Sequence, residues 1–292
     1  MSFSADIKKE LCAATAGEKC CTLAEAYGMI LCGSFAPNNL HLQTDNAALA
    51  RRYQKLIDIA AGESAAILPP ARGGVYTYAG FEGAAAARVY DFFGGGRLNT
   101  ALFEKDCCAA AFLRGAFLSG GHITNPERDY HMEWTFSSAD GCCGAESAAA
   151  SVAALLEGMG YPARTIERGG STCVYFKDST AIEDLLVLIG APQGTFRLME
   201  IKILKDVRNN SNRITNCDTA NINKTVAAAA RQISAIQRLR EKGALPDELN
   251  AVARLREQNP EAALSELSDV SGLPKSHISR RLGHIIELSE RI

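Results

Sequence analysis

Several features that define common protein classes are missing from this sequence. No run of about 18 apolar residues occurs, so no transmembrane helix is expected. The first residues lack the apolar core of a secretory signal, which predicts a cytoplasmic protein. The glycine-rich stretch 92–97 matches neither G-x-x-x-x-G-K-[ST] nor G-x-G-x-x-G, so we interpret it as a hinge and not as a phosphate-binding loop.

Metal and cofactor signatures are also scarce. The five histidines show no ligand spacing, and no C-x-x-C pair has a second pair to match it. Six of the ten cysteines stand in adjacent pairs: Cys20-Cys21, Cys107-Cys108 and Cys142-Cys143. Adjacent cysteines rarely bridge each other, and a cytoplasmic chain favours reduced thiols that pack as small hydrophobic residues. We therefore predict no metal site and no cofactor. Proximity of the three pairs in the fold, and a redox role for them, stay open.

Charge is small in total and uneven along the chain. The net charge of −2 divides into −6 over residues 1–190 and +4 over residues 191–292. Within residues 202–240 there are eight Lys and Arg against two Asp. An acidic first part followed by a basic second part indicates a polyanionic partner for the second part.

Two short apolar segments share one pattern. Residues 24–34 and 110–121 each predict a helix that ends near a glycine and carries a glycine in its middle, Gly28 in the first and Gly115 in the second. A glycine inside a helix costs about 1 kcal/mol against alanine. We interpret the pair as the crossing point of two closely packed helices. The alternative is two ordinary buried helices whose glycines coincide.

The residues after each of these segments strengthen the first interpretation. Each segment is succeeded by a hairpin, a helix, two further strand-like runs and a closing helix, at an offset of 87 residues. The order αββαββα, present twice, predicts an α+β pseudo-twofold domain over residues 20–190, with halves at about 20–95 and 108–190. Residues 1–19 precede it as a short helix, for which Ser4 is the candidate cap.

Residues 191–243 form a basic, asparagine-rich segment. Its flanks favour helix, whereas asparagine lowers helix stability, so part of its middle could lie in loops. Amide and cationic side chains suit phosphates and base edges. We select six of them as candidate DNA contacts: Lys202, Lys205, Arg208, Arg213, Asn216 and Lys224. The alternative is a polar interdomain helix with a solvated face.

Residues 244–292 predict three helices, at 247–257, 261–270 and 275–288, with Pro260 starting the second. A glycine-bearing turn at Gly272, with Ile278 six positions later, is the helix-turn-helix pattern. Leu264, Leu267, Ile278 and Leu282 are expected to pack inside. The outward side of the last helix then offers residues that suit DNA recognition: Lys275, Ser276, His277, Ser279, Arg280 and Arg281. A helical bundle used only for protein docking is the alternative.

The duplicated unit with glycine-centred helices resembles the LAGLIDADG homing endonucleases. In that family the motif helices join the two halves, and an acid at each helix end holds a catalytic divalent metal. The matching positions here are Gly33 and Gly120. The resemblance therefore implies the fold without metal-dependent cleavage, because glycine cannot hold a metal or orient water.

The whole chain is more specifically similar to the WhiA family, in which a degenerate domain of this type precedes a helix-turn-helix. The matching stretches are MSFSADIKKEL, FLRGAFLSGGHITNPE, NRITNCDTANINKTV and LSELSDVSGLPKSHISRRL. The resemblance implies a DNA-binding protein of sporulation and cell-division control, linked also to chromosome segregation.

These observations favour a regulator that binds double-stranded DNA and is not an enzyme. The acidic first domain is expected to serve as a scaffold or as a docking surface for cell-division or other regulatory proteins. Alternatives are a division-machinery or nucleoid-associated protein with secondary DNA binding, and a nuclease that uses other acids, such as Glu133 beside His131, or Asp129. We interpret the single Trp134 as hydrophobic sheet surface and not as a base-stacking platform.

Overall fold

A computed structural model of the chain describes residues 2–15, 17–70, 77–95, 98–137 and 145–292. It divides into two compact units, Met1–Leu204 and Lys205–Ile292. Each unit buries a hydrophobic core of its own. Among the described residues, no helix combines the length and apolar character that membrane crossing requires.

The first unit passes twice through one order of elements after an initial helix, α1 (Phe3–Ala13). The first half comprises α2 (Lys19–Leu31), β1 (Ser34–Ala36), β2 (Asn39–Thr44), α3 (Ala47–Ala61), β3 (Ala66–Leu68), β4 (Thr77–Glu82) and α4 (Gly83–Phe92). The second comprises α5 (Asp106–Gly120), β5 (Gly121–Ile123), β6 (Met132–Ser137), α6 (Ala145–Gly158), β7 (Arg164–Arg168), β8 (Ser171–Phe176) and α7 (Ser179–Ile189). The predicted αββαββα duplication and the α+β class are confirmed.

Each half holds a four-stranded antiparallel sheet. The strand orders, β1-β2-β4-β3 and β5-β6-β8-β7, are equivalent in the two halves. Alternate residues of β6 face the core, so Trp134 is fully buried, and its indole Nε1–H donates to the carbonyl oxygen of Leu113 at 3.2 Å. Trp134 thus belongs to the hydrophobic face of the sheet, as interpreted from the sequence, and that face is the one that packs on the core.

Helices α2 and α5 cross with their backbones in contact. A Cβ atom added at Gly28 would lie 2.1 Å from the carbonyl oxygen of Phe112, and one added at Gly115 would lie 2.0 Å from that of Glu25. Both distances are far below a van der Waals contact, so only glycine fits at either position. The predicted helix crossing is confirmed, and the two halves meet there.

A buried carboxylate lies beside this crossing. Glu25 of α2 is fully buried and receives hydrogen bonds from Arg114 of α5, at 2.9 and 3.0 Å, and from Arg52 of α3, at 2.6 Å. Arg114 also donates to the carbonyl oxygen of Ile189, and Arg52 to that of Ala14. Through Glu25, the two arginines thus link α2 to α3 and to α5.

Local differences from the predictions have identifiable causes. Both central helices begin earlier than predicted, at Lys19 and Asp106, where no capping side chain marks a start. Strand β4 continues as far as Glu82, and it pairs with both β2 and β3 although it contains Ala79 and Gly80, which have low strand propensity. Ser4 does not cap α1: Ser2 accepts from the amide of Ala5, and Ser4 is buried.

The second unit contains three helices packed against the end of a long one. Helix α8 (Pro192–Glu241) is continuous over 50 residues. It is followed by α9 (Asp247–Gln258), α10 (Leu264–Ser271) and α11 (Lys275–Glu290). The core of this unit is aliphatic: Ala235, Ile236, Leu239, Leu249, Val252, Ala253, Leu267, Ile278, Leu282 and Ile285.

Helix α10 begins three residues later than predicted. Pro260 lies in a turn before it and not at its first position. The buried guanidinium of Arg256 donates to the carbonyl oxygens of Asn259 and Ala262, at 3.1 and 2.7 Å, and so holds this turn out of the helix. The Glu266 carboxylate then accepts from the amide of Ala263 and caps the helix start.

Candidate nucleic-acid interface

The turn between α10 and α11 has the geometry of a helix-turn-helix. Gly272 ends α10 with a φ of 69°, in the left-handed region, and its amide donates to the carbonyl oxygen of Ser268 at 2.9 Å. Ser268 Oγ in turn donates to the carbonyl oxygen of Leu273 at 2.6 Å. Ile278 and Leu282 of α11 are fully buried, as predicted. These contacts fix α11 against α10 and decide which of its sides faces outward.

The side chains predicted to read DNA divide into two groups. Lys275, Ser276, Ser279 and Arg280 are exposed, whereas His277 and Arg281 are half-buried. Arg281 also donates from Nη1 to the carbonyl oxygen of Glu248 at 3.3 Å, so α9 already holds part of its guanidinium. The structure thus brings the six residues onto the first two turns of α11 and leaves four of them exposed.

The start of α11 favours anions. Its N-cap residue, Pro274, provides no side-chain cap, and its first turn carries no acidic residue. Uncapped amides at a helix start and the helix dipole attract phosphate groups. Further along, His277, Arg280, Arg281 and His284 line a shallow groove that also contains Glu248 and Glu287. Lys275, Arg280 and Arg281 thus place the positive charge on the first two turns of α11.

The asparagine-rich part of α8 is helical throughout. All residues from 206 to 224 are helical and exposed, so none of this stretch lies in a loop. Apolar side chains are exposed along it as well: Val207 64%, Ile214 56% and Ile222 62%. The alternative of a polar interdomain helix with a solvated face does not explain why these apolar side chains are exposed to solvent.

The basic residues of α8 differ in their availability. Within the described part of the chain, Arg208, Arg213 and Lys224 form no ion pair, and they are exposed, as is Asn216. Lys202 instead pairs with the Glu183 carboxylate at 3.1 Å. Lys205 is half-buried. Two further arginines serve packing, since Arg238 donates to the carbonyl oxygen of Ser289 and Arg240 pairs with Glu257.

Of the two positions that match the catalytic acids, Gly120 has no room for a side chain and Gly33 has little. A Cβ atom at Gly120 would lie 2.5 Å from the carbonyl oxygen of Thr135, and one at Gly33 would lie 3.1 Å from that of His41. The alternative acid Glu133 pairs with His131 at 2.7 Å. No further carboxylate, histidine or thiol of the described residues joins this pair within metal-binding distance.

The cysteine pairs of the two halves meet, although spacing along the chain gave no sign of it. The thiols of Cys20, Cys21, Cys107 and Cys108 all lie within 4.8 Å of one another. Burial raises the pKa of Cys20, and it raises the pKa of Cys21 to about 12. The third pair, Cys142-Cys143, lies outside the described residues. The sequence left proximity of the pairs open, because the signal that brings two of them together is the 87-residue repeat and not a local motif.

The fold and the site together define a class: a LAGLIDADG-like domain without its catalytic acids, joined to a helix-turn-helix. Family models agree with this description. The model of the WhiA LAGLIDADG-like domain matches residues 109–208, and that of the WhiA C-terminal HTH domain matches residues 211–289.

Individual proteins with the same organisation are similar over the full chain. A protein named "Probable cell division protein WhiA" from Oceanobacillus iheyensis is 34% identical and covers 100% of this chain over 98% of its own length. Its counterpart from Ruminiclostridium cellulolyticum is 35% identical with the same coverage. The crystal structure of full-length DUF199/WhiA from Thermatoga maritima superposes with a TM-score of 0.60 at 27% identity, covering 100% of this chain and 99% of that one. The chain belongs to the WhiA family.

Proposed function

We propose that this protein is a regulator that binds double-stranded DNA through its helix-turn-helix, with α11 as the recognition helix. The observation that carries the proposal is the first two turns of α11, where Lys275, Ser276, Ser279 and Arg280 are exposed at and just after an uncapped helix start. Arginine and serine at such a position can contact base edges, and lysine can neutralise phosphate. His277 and Arg281 supply further contacts from the rim of this surface.

The second part of the proposed interface is α8. Arg208, Arg213, Asn216 and Lys224 provide sequence-independent contacts to phosphates, with Lys205 and Lys202 at the start of the segment. Lys202 contributes least because Glu183 already neutralises it. The first unit, which carries the acidic part of the chain, is unsuited to phosphate and acts as a scaffold or protein-docking surface.

The same proposal makes the protein a non-enzyme. Glycine at positions 33 and 120, each close to a neighbouring carbonyl oxygen, supports a domain that does not cleave DNA. By family, the protein would act in transcription control, cell division and chromosome segregation, and in sporulation where the organism sporulates. Its place would be the cytoplasm, on the nucleoid.

Arg280→Ala tests the recognition helix. We expect it to weaken binding to the specific site by about 1–3 kcal/mol and to relax sequence preference, because the guanidinium that reads a base edge is removed. Binding of both variants to specific and random duplexes is measured by fluorescence anisotropy. Arg291→Ala, at the opposite end of α11, is the control and should leave both affinities unchanged. If the affinity for both duplexes fell equally, Arg280 would contact phosphate and not a base edge.

A triple variant, Arg208→Gln with Arg213→Gln and Lys224→Gln, tests α8. We expect weaker binding to every duplex and a shallower dependence of log K on log salt, by about 0.9 for each phosphate that is no longer neutralised. Salt titrations on random DNA give the slope. Lys202→Gln, whose ammonium pairs with Glu183, should change the slope little. If the triple variant kept the original salt slope, α8 would not be part of the DNA interface.

A second function is favoured by the printed names of the relatives, which describe a cell division protein. On that account the protein binds partners of the division machinery and its DNA contact is secondary. The exposed apolar side chains of α8 and the acidic first unit are compatible with protein partners. Recovery of DNA without any shared motif would favour this second function over sequence-specific regulation.

A further inference from the structure

The two copies of the cysteine pair are related by the internal duplication. Cys20 and Cys21 occupy the first turn of α2, and Cys107 and Cys108 occupy the first turn of α5. Each cysteine of the first pair stands 87 residues before its counterpart. Because α2 and α5 cross at the interface of the halves, the two first turns come together and place four sulfur atoms at one point.

The separations of these sulfur atoms match a tetrahedral metal site. All four lie within 4.8 Å of one another, and Cys21 Sγ is 3.2 Å from Cys107 Sγ. In a zinc tetrathiolate with Zn–S bonds of about 2.3 Å, the sulfur–sulfur distances are about 3.8 Å. Small side-chain adjustments would therefore close the set around one ion. A disulfide, at about 2.05 Å, would require one pair to contract by more than an ångström.

The surroundings suit a site of negative charge. The N-cap residues Glu18 of α2 and Lys105 of α5 provide no side-chain cap. The first-turn amides can therefore interact with negative charge nearby, except that of Cys108, which donates to the carbonyl oxygen of Lys105. The Lys105 ammonium neutralises the Glu18 carboxylate, whose Oε2 lies 4.0 Å from Cys20 Sγ at the edge of the cluster. Cys20, Cys21 and Cys108 are buried, which keeps most of the site away from water.

We propose that Cys20, Cys21, Cys107 and Cys108 bind one zinc ion that joins the two halves of the duplicated domain. Binding replaces the protons of four thiols by Zn²⁺, releases those protons to solvent and leaves a tetrathiolate of net charge −2. All four ligands come from protein, so the site is closed and structural, with no position for substrate. An iron–sulfur cluster is disfavoured, because it spreads its thiolates over several iron atoms and needs wider separations than these.

The position of this site in the fold gives it a specific role. It lies at the start of α2 and α5, whereas Gly33 and Gly120 lie at the other end of the same helices, about 18 Å away for a helix of this length. Homing endonucleases, which this domain resembles, hold catalytic metal at that other end. Here the ion would link two halves that no longer share a catalytic metal.

The test uses the full chain, purified with a thiol reductant and without chelator. Elemental analysis should find about one zinc and no stoichiometric iron per chain. After zinc is removed under reducing conditions, Co²⁺ should bind at one equivalent, with the thiolate charge-transfer band and intense visible bands of tetrahedral sulfur coordination. Added Zn²⁺ should abolish that spectrum and raise the melting temperature.

Variants assign the ligands. Cys21→Ser and Cys108→Ser should each lose the tetrathiolate cobalt spectrum, whereas Cys217→Ser, an exposed cysteine of α8, should retain it. The titration of the unaltered chain decides the matter even if a variant fails to fold. Absence of zinc together with a silent cobalt titration of the reduced chain would overturn the proposal. So would a metal-free chain whose Cys21 and Cys107 are joined in a disulfide by peptide mapping, or a chain that carries an iron–sulfur chromophore.

Discussion

Replacement of Gly115 by alanine is expected to destabilise the first unit by about 3 kcal/mol or more. Alanine raises helix propensity by about 1 kcal/mol, so a change judged by propensity alone would stabilise α5. The added Cβ, however, would lie 2.0 Å from the carbonyl oxygen of Glu25 and 3.0 Å from the amide nitrogen of Met29. Backbone cannot move aside as a side chain can, so α2 and α5 must separate.

Thermal unfolding followed by circular dichroism measures the effect of Gly115→Ala. Gly158→Ala is the matched control, because Gly158 is helical and a Cβ there meets nothing within 4 Å. That variant should be neutral or slightly more stable than the unaltered chain. If Gly115→Ala melted at the same temperature as Gly158→Ala, the close backbone crossing would be incorrect.

Glu25→Gln is expected to cost about 3–5 kcal/mol. The substitution preserves shape and removes the one negative charge that Arg52 and Arg114 share inside the fold, so two nearly buried guanidinium groups lose their counter-charge. Arg52 already has one buried nitrogen, Nη2, without a hydrogen-bond partner among the described residues, which leaves little capacity to compensate. Chemical denaturation gives the free energy of unfolding.

The comparison for this prediction is Glu63→Gln. Glu63 also pairs with an arginine at 2.6 Å, but Arg88 is 61% exposed, and exposed pairs contribute at most about 1 kcal/mol. The two substitutions therefore change the same chemical group at different depths. If both substitutions lowered the free energy of unfolding by the same amount, burial of the carboxylate would not determine how much its ion pair stabilises the fold.

The fold could be predicted from the sequence because its main signal repeats. Glycine at the same place in two apolar helices, succeeded by the same order of strands and helices, is enough to identify the duplication and the crossing at Gly28 and Gly115. The helix-turn-helix is predictable for a local reason: Gly272, Ile278 and Leu282 stand at the spacing that the turn requires. The first signal is a constant offset of 87 residues between the two halves, and the second lies within about ten consecutive residues.

The features that could not be predicted depend on contacts between distant residues. Glu25 and Arg114 are 89 residues apart in the sequence, and no local pattern predicts that they pair. The late start of α10 depends on the buried guanidinium of Arg256. The cysteine cluster has no spacing signal within one segment, because its two pairs come from different halves. The difference between Lys202, which is paired, and Arg208, which is not, likewise depends on the three-dimensional arrangement.

The most direct test of DNA binding without cleavage is a selection of bound fragments from genomic DNA, with and without magnesium, at two salt concentrations. We expect intact fragments that share one motif, independent of magnesium, and disappearance of that motif with Arg280→Ala. Fragments cut only in the presence of magnesium would contradict DNA binding without cleavage, since Gly33 and Gly120 could not then mark a lost catalytic site. Intact fragments without a motif would contradict sequence reading by α11 and favour the division-machinery function.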